Sequence, residues 1–307
     1  MYLLQILRAP FFSASIAPIL IGTLCALLLG QSFSFWNLLA TLLVGVGVHA
    51  GANVSNDVFD FESQADVVNE NRSPFNGGSG VLIAAPSMLG QLRIVYVVCY
   101  VVAILATTFL LVQSPELRLP LMVVIGLGFF LSFFYTAPPF QLAYRGLGDI
   151  SVFLSFGPLL TLLGALGQGA WVADLTLLAS LPLGLQITAI LWISCIADVP
   201  GDLAARKYSL VSRLGTARSC WGYALLQFGA IAALVPVALA LPGSGWLVLG
   251  AALPPLFFLS KVLPVLWANH DRPRDLVPAL AGTVQLHLSG AVSYVLLLGL
   301  VYLRQSN

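Results

Sequence analysis

Long stretches of apolar residues recur along the chain, separated by short polar, glycine-rich or proline-rich breaks. Each stretch approaches the twenty or so residues that an α-helix needs to cross the hydrocarbon core of a bilayer. Apolar residues run continuously rather than alternating with polar ones, which disfavours a transmembrane β-barrel. The pattern predicts nine membrane-spanning helices, near residues 9–30, 36–56, 92–113, 119–136, 149–168, 174–197, 218–240, 245–267 and 278–303.

The composition agrees with a membrane-embedded fold and excludes several function classes. Of the 307 residues, 59% are hydrophobic and only 8% are charged, whereas about 25% of the residues in an average soluble domain are charged. The formal net charge of +1 gives no basic surface for nucleic acid. We therefore expect an all-α polytopic membrane protein that forms one domain over residues 1–307, and not a soluble enzyme, a nucleic-acid-binding protein or a disordered chain.

Charged residues are divided unevenly between the two sides of the predicted helix bundle. Eleven of the 13 Lys and Arg residues fall on the side of the N-terminus, and only Arg118 and Arg304 fall on the other. Because Lys and Arg accumulate in cytoplasmic loops, this asymmetry predicts a cytoplasmic N-terminus, and we expect the cell inner (plasma) membrane. Ten of the 12 acidic residues share that side. Acidic residues do not set topology, so their clustering predicts a functional site there.

The first acidic cluster lies at the end of the second predicted span. If the helix continues there, Asn53, Asp57 and Asp60 stand at positions i, i+4 and i+7 and share one face. Asn56 lies beside them, and Asp66 follows six residues after Asp60. The chain must turn to bring Asp66 to the same place. The spacing predicts two carboxylates and an amide directed at a single point.

The second acidic cluster lies at the end of the sixth predicted span. Asp198 and Asp202 share a helix face, although Pro200 and Gly201 between them predict a bend or a break. The basic residue Lys207 follows shortly after. Four spans separate the two clusters, and an even number of crossings returns the chain to the same side. Both clusters can therefore face one cavity.

Acidic residues at helix ends in a membrane protein need an explanation, because carboxylates are costly near hydrocarbon. Carboxylate oxygens are the hard ligands that suit Mg²⁺, which also keeps waters and takes oxygens from substrate phosphates. With Arg72, Arg145 and Lys207 on the same side, the clusters predict a metal–diphosphate site. Helix capping and loop solvation are the alternative explanation. The predicted metal ligands are Asp57, Asp60, Asp198 and Asp202.

Three motifs resemble those of the UbiA-type intramembrane prenyltransferases. The first cluster resembles the family's NDxxD…D signature, the second resembles its DxxxD motif followed by a basic residue, and the loop from Tyr135 to Asp149 resembles its fourth-to-fifth connection. The menaquinone-type branch, which prenylates 1,4-dihydroxy-2-naphthoate, is the most similar. The features shared with it are the spacing of Asp66, the stretch Asn76-Gly-Gly-Ser-Gly80 and Phe156-Gly-Pro158. One difference is Arg206, where such enzymes commonly have Gly before the Lys.

The resemblance implies nine spans around a central cavity that opens to the cytoplasmic side. It also implies Mg²⁺-dependent transfer of a polyprenyl group from its diphosphate to an aromatic quinone precursor, with the lipid bilayer as surroundings. The carboxylates of the four predicted metal ligands would act in catalysis together with Lys207. The residues expected to bind the two substrates are Asn53, Asn56, Asp66, Arg72, Tyr135, Tyr144 and Arg145.

Other interpretations stay open at the level of sequence. The acceptor of a UbiA-type enzyme can be another aromatic compound, a tetrapyrrole or a glycerol lipid. A CDP-alcohol phosphotransferase concentrates its acids in one compact motif, whereas here they lie on two distant spans. A transporter would carry acids midway along its spans and show an inverted repeat. The clusters at helix ends favour neither of these two classes.

Two features near the first cluster have undecided roles. His49 lies on the face of Asn53 and Asp57, where it is either a base for the acceptor hydroxyl or, as we expect, an ordinary buried histidine. The segment 71–91 contains Gly77-Gly78-Ser79-Gly80. Such a glycine-rich loop is either a mobile lid or a cradle whose backbone N–H groups bind phosphate.

Overall fold

Nine long helices make up most of the protein. The computed structural model describes residues 2–171 and 173–306. Within that part of the chain there is no β-strand, and nine helices are long and apolar enough to cross a membrane. The predicted all-α class and number of spans are thus confirmed. The helices are Ala9–Leu28 (α1), Phe35–Glu62 (α2), Pro86–Gln113 (α3), Pro115–Phe133 (α4), Gly148–Gly167 (α5), Asp174–Ala204 (α6), Thr216–Ala240 (α7), Gly243–Asn269 (α8) and Pro273–Ser306 (α9).

Helices α2 and α6 continue six or seven residues beyond the C-terminal ends that the hydrophobic pattern predicts, and both extensions carry acidic residues. Helix α2 continues past residue 56 to Glu62, so Asp57 and Asp60 lie on regular helix. Helix α6 runs through Pro200 to Ala204 without the predicted break, so Asp198 and Asp202 share one helix. The hydrophobic pattern does not predict the last turns of these two helices, because acidic side chains there interrupt the run of apolar residues.

The helices pack around a central element, and large apolar side chains cover the outside. Helix α6 is the most buried span and contacts α1, α5, α7 and α9. Apolar cores lie on either side, one around Trp192 and Tyr223 and another around Val44 and Leu121. The outer surface exposes large apolar residues on many helices, including Leu105, Leu225, Leu239 and Leu253. Such a surface belongs in lipid, so the chain is an integral membrane protein.

Helices α1 and α5 approach each other most closely at two glycines. A Cβ placed on Gly22 would lie 1.9 Å from the carbonyl oxygen of Thr161, and one placed on Gly164 would lie 2.2 Å from that of Ile19. Small residues let helix backbones approach in this way inside a membrane. The contact holds α5, which lines the candidate site, against the N-terminal span.

Replacing Gly164 with alanine is expected to lower the free energy of unfolding by about 1–3 kcal/mol, because a methyl group forces two backbones apart. Thermal unfolding of purified protein in detergent micelles measures the effect as a lower midpoint. Gly126→Ala is the control, since no heavy atom lies within 4 Å of a Cβ at that position. Equal midpoints for the two variants would show that the close approach of α1 and α5 is not tight in solution.

Candidate active site

A large cavity extends from the two acidic helix ends into the bundle. Its volume is about 780 Å³. Asp60, Asp202 and Lys207 line one end, whereas Val44 and Leu163 line the other. Val44 precedes Asp60 by sixteen residues on α2, which corresponds to about 24 Å along the helix axis. The cavity therefore joins a charged end to a long apolar interior.

Lys207 brings the two acidic clusters together. Its Nζ lies 3.2 Å from Asp60 Oδ2, on α2, and 4.0 Å from Asp202 Oδ1, on α6. Asp60 and Asp202 are both buried, at 3% and 7% exposure. Carboxylates from two distant parts of the sequence thus contact one ammonium group, as the even number of intervening spans predicts.

The backbone after α6 directs Lys207 into the cavity. Arg206 adopts a left-handed conformation with φ of 57°, and the N–H of Lys207 donates to the carbonyl of Asp202 at 2.7 Å. Glycine populates this region without steric cost, whereas other residues lose about 1–2 kcal/mol there. Arg206 therefore occupies a position whose backbone conformation favours glycine.

Asp57 lies beside the cavity rather than on its lining surface. Its Oδ1 accepts a hydrogen bond from Nη2 of Arg8 at 2.6 Å and another from the backbone N–H of Ser79 at 3.1 Å. Its Oδ2 is buried and has no hydrogen-bond partner among the described residues. Arg8 precedes α1, and Gln5 from the same N-terminal segment donates to the carbonyl of Ser79. The N-terminal segment therefore closes over the first cluster.

A turn after α2 returns Asp66 to the site. Gln64 has a φ of 67°, and the N–H of Asp66 donates to the carbonyl of Asp60 at 3.1 Å. Arg72 then pairs with Asp66, with 3.7 Å between Nη1 and Oδ1, and also donates to the carbonyl of Asp66. Asp66 and Arg72 both line the cavity; that they bind substrate stays a prediction.

The crossover segment, which we define as residues 69–80, connects the two acidic helix ends. Side-chain amides of Asn69 and Asn76 donate to Asp198 Oδ1 at 2.7 and 2.6 Å. The N–H of Ser79 reaches Asp57 at the other end of the segment. Gly77 and Gly78 line the cavity between these contacts. The glycine-rich stretch thus lies across the mouth of the site, where either a lid or a phosphate cradle would have to lie.

Most of the other predicted substrate-binding residues surround Asp60. Asn53 and Asn56 line the cavity, and Asn56 donates to Asp60 Oδ2 at 3.1 Å. Tyr135 also lines the cavity. The hydroxyl of Tyr144 donates to Asp60 Oδ1 at 2.7 Å from behind the cavity wall.

The structure does not bring Arg145 to the cavity. Its side chain is exposed and donates to the carbonyl of Pro139. Arg145 and Tyr144 are neighbours in the short 3₁₀ helix Leu142–Arg145, where consecutive side chains point in different directions. Because Tyr144 faces Asp60, the side chain of Arg145 points outward.

His49 lies deeper along α2 and has a hydrogen-bond partner. Its Nδ1 is 2.7 Å from the hydroxyl of Ser15, and its ring packs edge-on against Phe12 and Phe156. These contacts are those of an ordinary buried histidine.

Burial and neighbouring charges shift the ionisation of the groups at the charged end. Burial raises the pKa of Asp66 to about 7; Asp60 adds to the shift and Arg72 opposes it. Burial lowers the pKa of Lys207, but the carboxylates of Asp60 and Asp202 outweigh it and raise the pKa well above its ordinary value. Burial, with Asp60, likewise raises the pKa of Tyr144. Lys207 is therefore held as a cation at neutral pH.

The donor set fits a divalent cation that shares its coordination with a substrate. Carboxylates of α2 and α6 lie within 4.0 Å of one ammonium group, and the buried Asp57 Oδ2 on α2 has no hydrogen-bond partner among the described residues. Within residues 2–171 and 173–306, no three His, Cys, Asp or Glu side chains form a group that could hold a metal ion. Mg²⁺ retains waters and takes phosphate oxygens, so a partial protein shell suits it.

The sequence does not predict several of the residues at the site. The ion pair of Arg8 with Asp57, and the amides of Asn69 and Asn76 on Asp198, depend on contacts between distant parts of the chain. Asp149 lines the cavity as well. The only signal for it was its place at the end of the loop that resembles the family's fourth-to-fifth connection.

Gly78 tests whether the crossover segment must fit tightly over the acids. A Cβ at Gly78 would lie 2.7 Å from Asp66 Oδ2 and 3.0 Å from Asp57 Oδ1. We expect Gly78→Ala to weaken binding of the predicted substrate, a polyprenyl diphosphate, at least about tenfold. The added methyl group would push the crossover segment away from Asp57 and Asp66, so that the hydrogen bonds between the segment and these acids would be lost. Isothermal titration with a non-reactive diphosphate analogue measures this loss.

Gly80→Ala is the matched control for Gly78→Ala. Both glycines have a φ of 75°, so both substitutions strain the backbone equally, but a Cβ at Gly80 meets nothing closer than 3.5 Å. If both variants lose the same affinity, backbone strain explains the effect and the tight fit over the carboxylates does not matter.

Known proteins resemble this chain in sequence and in structure. Residues 15–281 match the model of the UbiA prenyltransferase family. A 2-carboxy-1,4-naphthoquinone phytyltransferase from Synechocystis is 27% identical over 69% of this chain, and the match spans 66% of that relative's length. A 1,4-dihydroxy-2-naphthoate octaprenyltransferase from Mycobacterium tuberculosis is 28% identical over 88% of this chain and 87% of its own.

A solved structure shares the fold. A UbiA homolog from Archaeoglobus fulgidus, in a structure bound to GPP and Mg²⁺, superposes with a TM-score of 0.59 at 13% identity, covering 96% of this chain and 99% of the other. The family model covers most of the chain, including both acidic clusters. The chain belongs to the UbiA prenyltransferase family.

Proposed function

We propose that this protein is a Mg²⁺-dependent aromatic prenyltransferase. It would transfer a polyprenyl group from its diphosphate to a quinone precursor such as 1,4-dihydroxy-2-naphthoate. The observation that carries the proposal is the position of Lys207, whose Nζ lies within 4.0 Å of carboxylates from both helix ends. This charged point lies at one end of a cavity with an apolar interior, which matches the charged head and apolar tail of a polyprenyl diphosphate.

The names of the relatives support the class of both substrates. The relatives from Synechocystis and Mycobacterium tuberculosis are both named for acceptors with a two-ring naphthalene skeleton. The Archaeoglobus fulgidus structure is described as bound to GPP and Mg²⁺. Membership of this family also leaves a CDP-alcohol phosphotransferase or a transporter without support.

In the proposed mechanism the two acidic helix ends hold the diphosphate head. The carboxylates of Asp57, Asp60, Asp198 and Asp202 would bind Mg²⁺. Bound Mg²⁺ supplies a Lewis acid that stabilises the negative charge of the departing diphosphate. Lys207 and Arg72 add charge-assisted hydrogen bonds to its oxygens. Asn76 and Asn69 keep Asp198 oriented toward the site.

The rest of the cavity positions the polyprenyl tail and protects the reacting carbon. A polyprenyl tail lying against apolar residues such as Val44 and Leu163 would exclude water, which would otherwise capture an allylic cation. Tyr135 lies beside the charged end, where its ring face can stabilise positive charge. The acceptor then attacks the allylic carbon from the remaining space.

We further propose one functional domain over the whole chain, with its active site on the cytoplasmic face of the plasma membrane. Eleven of 13 basic residues lie on the side of the acidic helix ends, which is the pattern of cytoplasmic loops. Residues 1, 172 and 307 of that domain lie outside the described residues.

Product analysis tests the proposed function. Purified protein in nanodiscs, offered polyprenyl diphosphates of several lengths and a panel of aromatic acids and quinols, should form a prenylated aromatic compound and free diphosphate. Mass spectrometry identifies the product, and chelation of Mg²⁺ should stop its formation. If the product were a prenylated tetrapyrrole or glycerol lipid, and no quinone precursor were prenylated, the proposed acceptor would be wrong although the enzyme would still be a prenyltransferase. No prenylated product from any acceptor would refute the proposal.

A further inference from the structure

One buried acid at the cavity has no role in the mechanism above. Asp149 lies in the first turn of α5 and lines the cavity, yet only 8% of it is exposed. Its Oδ1 is buried and has no hydrogen-bond partner among the described residues. Burying a polar atom without a partner is costly, and such an atom in a native structure requires an explanation.

The partners of the other acids show how Asp149 differs from them. Asp57 pairs with Arg8, Asp60 pairs with Lys207, and Asp198 accepts two amide hydrogen bonds. These contacts hold the carboxylates in place for a cation and a diphosphate. No ion pair to Asp149 is found within the described part of the chain. The carboxyl therefore has no fixed charged partner among the described residues, and it lines the cavity in which a ligand would lie.

Asp149 also lies on a different wall from the diphosphate-binding acids. Those come from α2 and α6, whereas α5 contributes Asp149 and, further along, Val152 and Phe156 to the lining. A Cβ at neighbouring Gly148 would lie 3.2 Å from the hydroxyl of Tyr135. The start of α5 thus packs against Tyr135, and Asp149 lines the cavity between the charged end and the apolar residues Val152 and Phe156. The reacting ends of both substrates must meet at such a junction of charged and apolar surface.

The electrostatic environment of Tyr135 supports this placement. Burial is the main reason why the pKa of Tyr135 lies well above its ordinary value, and the charge of Asp149 adds to the shift while Lys207 opposes it. Tyr135 is therefore within electrostatic reach of both the proposed diphosphate-binding lysine and Asp149.

We propose that Asp149 is the general base that accepts the hydroxyl proton of the aromatic acceptor. The inference rests on the proposed function and adds a catalytic residue to it. The acceptor would carry a hydroxyl group conjugated with the ring carbon that attacks. Removing its proton makes that carbon more electron-rich, and a positioned base of this kind contributes about 10²–10⁴-fold to a rate.

The bond between the allylic carbon and the diphosphate oxygen breaks, and its electron pair stays with the diphosphate. An electron pair of the deprotonated acceptor forms the new carbon–carbon bond, and the ring becomes a dienone. The attacked carbon then loses its proton to the released diphosphate, or its carboxylate as CO₂, and the electron pair of the broken bond stays in the ring. Asp149 returns its proton to the oxygen, so the carboxylate is regenerated.

Acceptors of graded acidity test the role of Asp149 directly. We expect Asp149→Asn to reduce prenyl transfer to a weakly acidic naphthol at least about 10²-fold. With a series of fluorinated naphthols, whose hydroxyl groups are increasingly acidic, the rate of Asp149→Asn should approach the wild-type rate for the same acceptor. Affinity for a non-reactive polyprenyl diphosphate analogue should stay within about threefold of wild type, because Asp149 does not hold the diphosphate.

Asp174→Asn is the matched control, since Asp174 is an exposed acid in the first turn of another span. It should transfer like wild type to every acceptor. The proposal is overturned if Asp149→Asn keeps full activity, or loses it equally with all acceptors, or loses diphosphate affinity in parallel. If that variant does not fold, Asp149→Ser is measured in its place by the same criterion. An inactive wild type would instead refute the proposed function, so the two failures are distinguishable.

Discussion

Replacing Asp60 with asparagine is expected to reduce prenyl transfer by at least about 10²–10³-fold, the size of effect seen when a charge-stabilising group is lost from an active site. The side chain keeps its size, but Lys207, Asn56 and Tyr144 lose the carboxylate to which they now bond. The proposed Mg²⁺ site also loses one charged ligand. Release of diphosphate at varied Mg²⁺ concentration measures the loss, and the Mg²⁺ requirement should shift to higher concentrations.

Glu62→Gln is the control for Asp60→Asn. Glu62 lies on the same helix end and pairs with Arg93, and it does not line the cavity. We expect this variant to keep wild-type activity and wild-type Mg²⁺ dependence. If Asp60→Asn released diphosphate at the wild-type rate, the first acidic cluster would have no part in the proposed mechanism.

Replacing Lys207 with methionine is expected to abolish activity and to destabilise the protein by about 3–5 kcal/mol, because it leaves buried carboxylates without a counter-charge. Asp60 and Asp202 both lose the ammonium group that lies between them. Thermal unfolding in micelles measures the stability, and diphosphate release measures the activity.

A double variant separates the two roles of Lys207. Adding Asp60→Asn to Lys207→Met removes one of the uncompensated charges, so stability should recover in part while activity stays lost. Lys261→Met is the control, since Lys261 is exposed and lies over the ring of Phe257 away from the cavity. Full activity in Lys207→Met would show that the lysine contributes only to stability.

The sequence predicts most of the fold because membrane spans are encoded locally. Length and hydropathy suffice to find nine helices, and their ends near residues 113 and 174 agree with the structure. The hydropathy pattern predicts C-terminal ends for α2 and α6 that are too early in the sequence. It cannot distinguish polar residues that face a cavity from polar residues that begin a loop. A proline likewise predicts a break in α6, but the helix continues through Pro200.

Two rules predict part of the candidate site from the sequence. Helix periodicity gives the residues that share a helix face, and an even number of intervening spans places two helix ends on the same side of the membrane. These two rules bring Asp60 and Asp202 to the same cavity, where Lys207 joins them. They say nothing of Arg8 or Asn69, whose contacts depend on how the N-terminal segment and the crossover segment fold over the helix ends. Nor do they give the direction of Arg145, which a single 3₁₀ turn points away from the cavity.

We propose that the ends of α2 and α6 together hold a metal-bound diphosphate. A crystal structure with Mn²⁺ and an unreactive polyprenyl thiolodiphosphate tests it most directly, because anomalous scattering locates the metal. We predict Mn²⁺ between the carboxylates of the two helix ends, with diphosphate oxygens in its coordination shell and Lys207 on the diphosphate. Metal or diphosphate bound elsewhere in the cavity, contacting neither helix end, would contradict the account.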